Sequence, residues 1–257
     1  MTRMSEIRVV TFNIWNRSGP WDERFIAIKT GLARLEPDLV GLQEVIVTEH
    51  GDKLDQGKAI AESLGFHMVF GSSHGEGYSF GNAVLSRWPI LRHEVFPLPA
   101  LDDTEPRTLL YAEVDAPAGK IPFFVTHLAW RLHEGHVRQA QVVAIAERVA
   151  ALCPPHGFPP VLVGDFNAEP ESDEIRFLRG HTSLGRKCVY FADAFRVAGV
   201  VDRAQHLEFA FGAVTSANIL KNEYVAIRHH VGIAEELAAE APVWCGNAVG
   251  CARKQDR

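Results

Sequence analysis

Cysteine is scarce in this 257-residue chain. Cys153, Cys188, Cys245 and Cys251 form no C-x-x-C pair and no zinc-ligand spacing, which counts against a zinc site. They are expected to be small buried hydrophobes. No apolar run approaches the ~18 residues that a membrane-spanning helix needs, so no membrane span is expected. The segment Met1 to Glu6 is polar and leads straight into a strand, without the apolar core of a signal peptide. A reducing cytoplasm is the expected compartment. Basic residues are in deficit, with 26 Lys and Arg against 32 Asp and Glu and a net charge of −6. That argues against an extended electrostatic footprint on duplex DNA, though not against a local basic patch. No internal repeat or low-complexity segment is visible.

What is present is ordinary for a globular protein: 47% hydrophobic and 23% charged residues. The length allows one large domain or two small ones. One domain over 1–240 is expected, followed by a loosely ordered tail over 241–257. In chain order, residues 7–16 read as a strand. Phe25, Ile28, Leu32 and Leu35 form a helical face that Pro37 stops. Residues 38–45 form an apolar strand, 57–64 a helix, and 66–70 a strand. The glycine-rich run 71–78 reads as a loop and 82–86 as a strand. Residues 93–106, with three prolines, read as a connecting loop. Strands 108–114 and 121–126 pair through the turn 116–119. Val142, Ile145, Val149 and Leu152 mark a helix, which Pro154 and Pro155 end. Short helices are expected at 173–178 and 191–197. Within 199–226 only Phe209, Phe211 and Val214 hint at a strand, and 225–237 reads as a final strand pair.

The stretch Val161-Leu162-Val163-Gly164-Asp165-Phe166-Asn167 carries the strongest chemical signal. A short buried strand ends in a carboxylate and an amide on alternate positions, which face the same way, at the end where α/β sheets keep their sites. Locally, Gly-Asp-x-Asn also reads as a turn. Other strands end in matching residues: Asn13, Glu44 and His127. A carboxylate closing a buried strand must be paired, protonated or metal-bound. Two carboxylates and two amides suit a hard cation such as Mg²⁺, which takes oxygen ligands and keeps several waters. A histidine beside it can polarise a phosphoryl oxygen or transfer a proton. Each residue also has a structural reading: Glu44 and Asp165 as turn caps, Asn13 and Asn167 as turn residues, His127 as a core histidine. Arg138 and Gln139 read as the solvated start of a helix. Trp15 and Trp130 read as core or rim packing.

Val10-Thr11-Phe12-Asn13, Leu42-Gln43-Glu44-Val45, Gly81-Asn82-Ala83-Val84-Leu85-Ser86-Arg87, Thr126-His127-Leu128 and Gly164-Asp165-Phe166-Asn167 occur in the order seen in the endonuclease/exonuclease/phosphatase superfamily. The chain resembles that family, whose members are similar to deoxyribonuclease I in fold, over residues 7–198. The resemblance implies a four-layered α/β sandwich: two mostly antiparallel sheets face to face, flanked by helices. It implies Glu44 as a direct Mg²⁺ ligand with Asn13 close by, and Mn²⁺ as a substitute metal. Asp165 would orient or deprotonate the attacking water, Asn167 would hold that water and a phosphate oxygen, and His127 would contact the scissile phosphate. Asn82 and Arg107 resemble the family's supporting residues in the substrate cleft.

The C-terminal part departs from the pattern. No Arg-Ile-Asp-Tyr-Ile-like strand occurs in 199–226. Arg228-His229-His230-Val231-Gly232-Ile233 aligns with Ser-Asp-His-x-Gly-Val, so His230 would be a catalytic histidine whose acidic partner is replaced by His229. A second histidine supplies no negative charge to fix the first. The function implied is a Mg²⁺-dependent phosphoesterase, acting as a monomer on a phosphodiester or phosphomonoester of a small molecule or a nucleic acid. The alternatives are an endonuclease of the abasic-site type, which needs a basic cleft mouth, and a catalytically weakened member serving as a binding module.

Overall fold

The structure is a computed structural model that describes residues 7–48, 54–74, 78–101, 103–153, 157–194, 213–217 and 224–229. The strands are β1 (Ile7–Asn13), β2 (Leu39–Thr48), β3 (His67–His74), β4 (Tyr78–Ser86), β5 (Ile90–Pro97), β6 (Thr108–Ala116), β7 (Gly119–His127), β8 (Val161–Asp165), β9 (Phe191–Asp193), β10 (Ala213–Ala217) and β11 (Tyr224–His229). The helices are α1 (Trp21–Leu35), α2 (Gln56–Leu64), α3 (Gly135–Leu152) and α4 (Asp173–Leu178), with a short 3-10 turn at Leu132–Glu134 before α3.

Successive residues along the central strands go to different cores. Val9, Leu39, Leu110, Phe123, Val161 and Val163 pack between the sheets. Their neighbours Val10 and Val40 pack with Ile28 and Leu32 of α1 and Ile60 of α2. Leu109, Tyr111, Phe124 and Leu162 pack with Val142 and Ile145 of α3 and Ile175 of α4. Strands buried on both faces read as unbroken apolar runs, which is the pattern at 161–163. The result is four layers: helices, sheet, sheet, helices.

One sheet has the order β10-β1-β2-β4-β3 and the other β5-β6-β7-β8-β11-β9. Five of the nine described pairings are antiparallel. The four parallel ones are β1 with β2 and the run β7-β8-β11-β9, which ends at edge strand β9. They bring the carboxyl ends of β1 and β2 in one sheet, and of β7, β8 and β11 in the other, to common edges.

Three segments differ from the sequence expectation. Residues 93–97, expected to begin a loop, belong to edge strand β5 (Ile90–Pro97). Most of its side chains face solvent, so no apolar alternation marks it, and pairing with β6 supplies its hydrogen bonds. The 71–78 run is strand to His74 and again from Tyr78, because pairing of β3 with β4 overrides its polar composition. Residues 191–193 are strand β9 rather than a helix, added beside β11 by a long-range pairing that local pattern does not encode. Val214 lies in β10, which pairs with β1. Phe209, Phe211, residues 230–237 and the tail 241–257 lie outside the described residues, as do Cys245 and Cys251. Cys153 is buried, and burial pushes its thiol up to about 12. Cys188, expected inside, is exposed.

Arg138 is not a solvated helix start. It is buried, and its Nε donates to the equally buried Glu174 of α4 at 2.6 Å. Its Nη1 donates to the carbonyls of Ala129 and Arg131. One guanidinium thus clamps α3, α4 and the chain leaving β7. Arg138→Met strands the Glu174 carboxylate in the interior, and a loss of about 3–5 kcal/mol is expected in urea unfolding. The double variant with Glu174→Leu should recover most of it. The sheets also meet closely at Gly41, where an added Cβ would lie 2.5 Å from Val163 Cγ2 and 2.9 Å from Val125 Cγ2. Gly41→Ala is expected to cost about 1–3 kcal/mol by overpacking. A lowered urea midpoint at unchanged m-value checks it.

Candidate active site

In the first sheet, the parallel register sets Asn13 at the end of β1 beside Gln43 of β2. The β2–β4 pairing slips there: Leu42 faces Ala83 and Val45 faces Gly81, so Gln43 and Glu44 together oppose Asn82. Glu44 has φ +59°. This bulge inserts one residue and re-aims the side chains around it. Gln43 stays fully buried and bonds Thr11. Glu44 turns to the half-buried rim at the end of β1.

In the second sheet, β7 ends at His127 and β8 at Asp165, in direct register. Gly164 lets these strands approach: a Cβ there would lie 2.2 Å from the Thr126 carbonyl oxygen. The Asp165 carbonyl then accepts from Leu128 N–H at 2.9 Å. Asp165 Oδ1 accepts the Asn167 backbone N–H at 3.0 Å, with Asn167 at φ +46°. The turn reading of Gly-Asp-x-Asn is therefore true together with the strand-end placement. The Asn167 side-chain amide donates to Leu128 O at 3.0 Å.

The two sheets join through one amide. Asn13 Nδ2 donates to Glu44 Oε1 at 2.9 Å and to Asp165 Oδ2 at 3.0 Å. Asn13 Oδ1 accepts the Trp15 N–H at 2.9 Å, which fixes the amide with its nitrogen toward the carboxylates. The other Glu44 oxygen accepts from Asn16 Nδ2 at 2.9 Å. His127 Nε2 lies 3.8 Å from Asp165 Oδ2. His127 Nδ1 lies 3.2 Å from Arg107 Nη1, and Arg107 Nη2 donates to Glu105 at 2.9 Å.

Asn13, Glu44, His127, Asp165 and Asn167, expected together from sequence, are together. Arg107 is 3% exposed and lies behind the imidazole. Burial pulls its guanidinium below its ordinary value, while the charges of Glu105, Glu44, Asp165 and Glu134 oppose that shift. Asn82 is buried opposite the bulge and donates to Thr108 O at 3.2 Å. His230 lies outside the described residues. His229 ends β11, and the parallel register places it beside Asp165.

Three supporting residues carry no clear signal in the sequence. Asn16 holds Glu44. Gln56, fully buried at the start of α2, donates to Asn16 O and accepts from Ile46 N–H. Arg24 donates to the carbonyls of Ile14 and Ser18; burial lowers its guanidinium, and Glu44 opposes this. Only the nearness of Asn16 to the Asn13 motif offers a hint. Trp15 and Trp130 are 40% and 53% exposed and belong to the rim rather than the core. A guanidinium lies over each ring, Arg24 at 5.1 Å and Arg131 at 5.8 Å.

The carboxylate oxygens are chemically suited to a hard divalent cation. Carboxylate oxygens of Glu44 and Asp165 converge on the Asn13 amide, and among the described residues no group of three or more His, Cys, Asp or Glu is placed to hold a metal by itself. A hard cation held by few protein oxygens and completed by water and substrate matches that chemistry.

Comparison with known proteins agrees with this architecture. The chain is 32% identical over 180 residues to the uncharacterized protein YbhP of Escherichia coli (strain K12), covering 65% of this chain and 68% of that one. A solved endonuclease/exonuclease/phosphatase from Beutenbergia cavernae DSM 12333 matches with TM-score 0.59 and 25% identity over 74% of this chain. TDP2 from Caenorhabditis elegans matches with TM-score 0.59 and 22% identity over 77% of it. Each match spans 55% of the solved chain, just over half its length. No helix among the described residues is long and apolar enough to cross a membrane. Residues 10–222 match the Endonuclease/Exonuclease/phosphatase family over most of the chain, and the chain belongs to that family.

Proposed function

We propose that this chain is a Mg²⁺-dependent hydrolase of phosphoester bonds, acting as a monomer on a phosphodiester or phosphomonoester of modest size. One observation carries the reading: the Asn13 amide holds a carboxylate from each sheet, Glu44 and Asp165, within hydrogen-bond reach of a single nitrogen. Two anionic groups so placed favour a cation beside them. Glu44 would hold the metal, with Asn13 beside it. A bound Mg²⁺ supplies charge neutralisation at the phosphoryl oxygens.

The remaining chemistry belongs to the side chains. Asp165 is held as a carboxylate by N–H donors on both oxygens, from Asn167 and Asn13, and Oδ2 faces the site. It accepts the proton of the attacking water. The water oxygen forms its bond to phosphorus as the ester P–O bond opposite breaks, and the leaving oxygen takes up a proton from solvent. His127, on the other side of Asp165, contacts a phosphoryl oxygen. Asn167, fixed against Leu128, lines the path of the water. Positioning and electrostatics do most of such work. The net charge of −6 supports a substrate smaller than a DNA duplex.

Metal-dependent hydrolysis of bis-p-nitrophenyl phosphate tests the reading. Mg²⁺ or Mn²⁺ should support turnover and EDTA should abolish it. Asp165→Ala should lower kcat by about 10²–10⁴-fold, the usual contribution of a general base, with circular dichroism unchanged. A folded protein that turns over no phosphoester with either metal overturns the proposal.

A further inference from the structure

The two nitrogens of His127 face different partners. Nε2 lies on the Asp165 side, 3.8 Å from Oδ2. Nδ1 lies 3.2 Å from Arg107 Nη1. A guanidinium carries only donors and stays protonated in proteins. Nδ1 must therefore offer its lone pair, and in the neutral ring the proton resides on Nε2.

Arg107 is built in for this contact. It is 3% exposed, its second terminal nitrogen is tied to Glu105, and its carbonyl accepts the Leu98 N–H at 2.8 Å. It sits immediately before β6, the strand paired with the one that carries His127. The arrangement inverts the familiar acid–histidine pair. There, a carboxylate behind the ring keeps a proton on the rear nitrogen and leaves the front one free to act as a base. Here, a cation behind the ring takes the rear lone pair and puts the proton in front.

We propose that Arg107 is a positioning residue that holds His127 as its Nε2–H tautomer, so that the ring meets the substrate phosphate as a neutral hydrogen-bond donor and leaves Asp165 as the proton acceptor for water. The role at the phosphate rests on the proposed hydrolase activity; the tautomer rests on side-chain geometry alone. With a proton already on Nε2, His127 has no lone pair facing the site.

Two readouts on the full chain separate these parts. Long-range proton–nitrogen NMR of labelled histidine rings, with His127 assigned by His127→Gln, is expected to show a protonated Nε2 and an unprotonated Nδ1 at neutral pH. Arg107→Met should give a mixture of tautomers and lower kcat on bis-p-nitrophenyl phosphate by about 10–100-fold, the range for losing a group that orients a reactive one. KM should stay within about twofold, because the lost interaction acts in the transition state. Arg107→Lys should restore the Nε2–H tautomer and part of the rate. A wild-type ring protonated on Nδ1, or an Arg107→Met protein that keeps a pure Nε2–H ring, overturns the proposal. Turnover absent in a protein with the expected tautomer overturns the hydrolase reading and the role at the phosphate, while the positioning role of Arg107 stands.

Discussion

A single carboxamide, Asn13 Nδ2, donates to carboxylates from both sheets, and the rest of the site is arranged so that this contact exists. It forms only if β1 and β2 run parallel in one sheet, β7 and β8 run parallel in the other, and the two pairs end at the same edge. Parallel neighbours keep their carboxyl ends together, whereas an antiparallel pair would set one partner's start against the other's end. The mixed topology is what places Asn13, Glu44, His127 and Asp165 within one cluster.

The site is also where the backbone departs from ordinary geometry. Of six non-glycine residues with positive φ among the described residues, Trp15, Asn16, Glu44 and Asn167 line this edge. Such conformations cost on the order of 1–3 kcal/mol each and persist only when surroundings over-determine them. The surroundings here are identifiable. The bulge against Asn82 sets Glu44. Gln56 ties Asn16 to β2 through two hydrogen bonds. The Asp165 carboxylate holds the Asn167 amide. Arg138, farther out, fixes the chain that leaves β7 by binding two of its carbonyls. Strain is thus offset by polar contacts, one of them through the Asp165 carboxylate that the proposed chemistry uses.

Legibility in the sequence differs by residue. Asp165 and Asn167 stand out because a buried apolar run ends abruptly in polar residues, and Glu44 because a carboxylate closes an otherwise apolar strand. The five short motifs, taken in order, are enough to point to the family. Arg138 is hidden because a helix start with charged residues looks solvated, and its partner Glu174 is distant in sequence. Strand β5 is hidden because an exposed edge strand carries no alternation, and β9 because three residues are too few to show a period. Asn16 and Gln56 are hidden because a polar residue after a motif, or at the start of a helix, carries no local mark of its partner.

The amino-acid sequence by itself determined which residue types end the strands, which runs are buried on two faces, and which family the chain resembles, because these depend on local pattern and short spacing. Tertiary structure alone decided that Glu44 turns outward at a bulge, that one amide spans both sheets, and that His127 meets a buried cation at Nδ1. Those outcomes depend on strand register and on pairs of residues 20 to 152 positions apart, distances over which no local propensity acts.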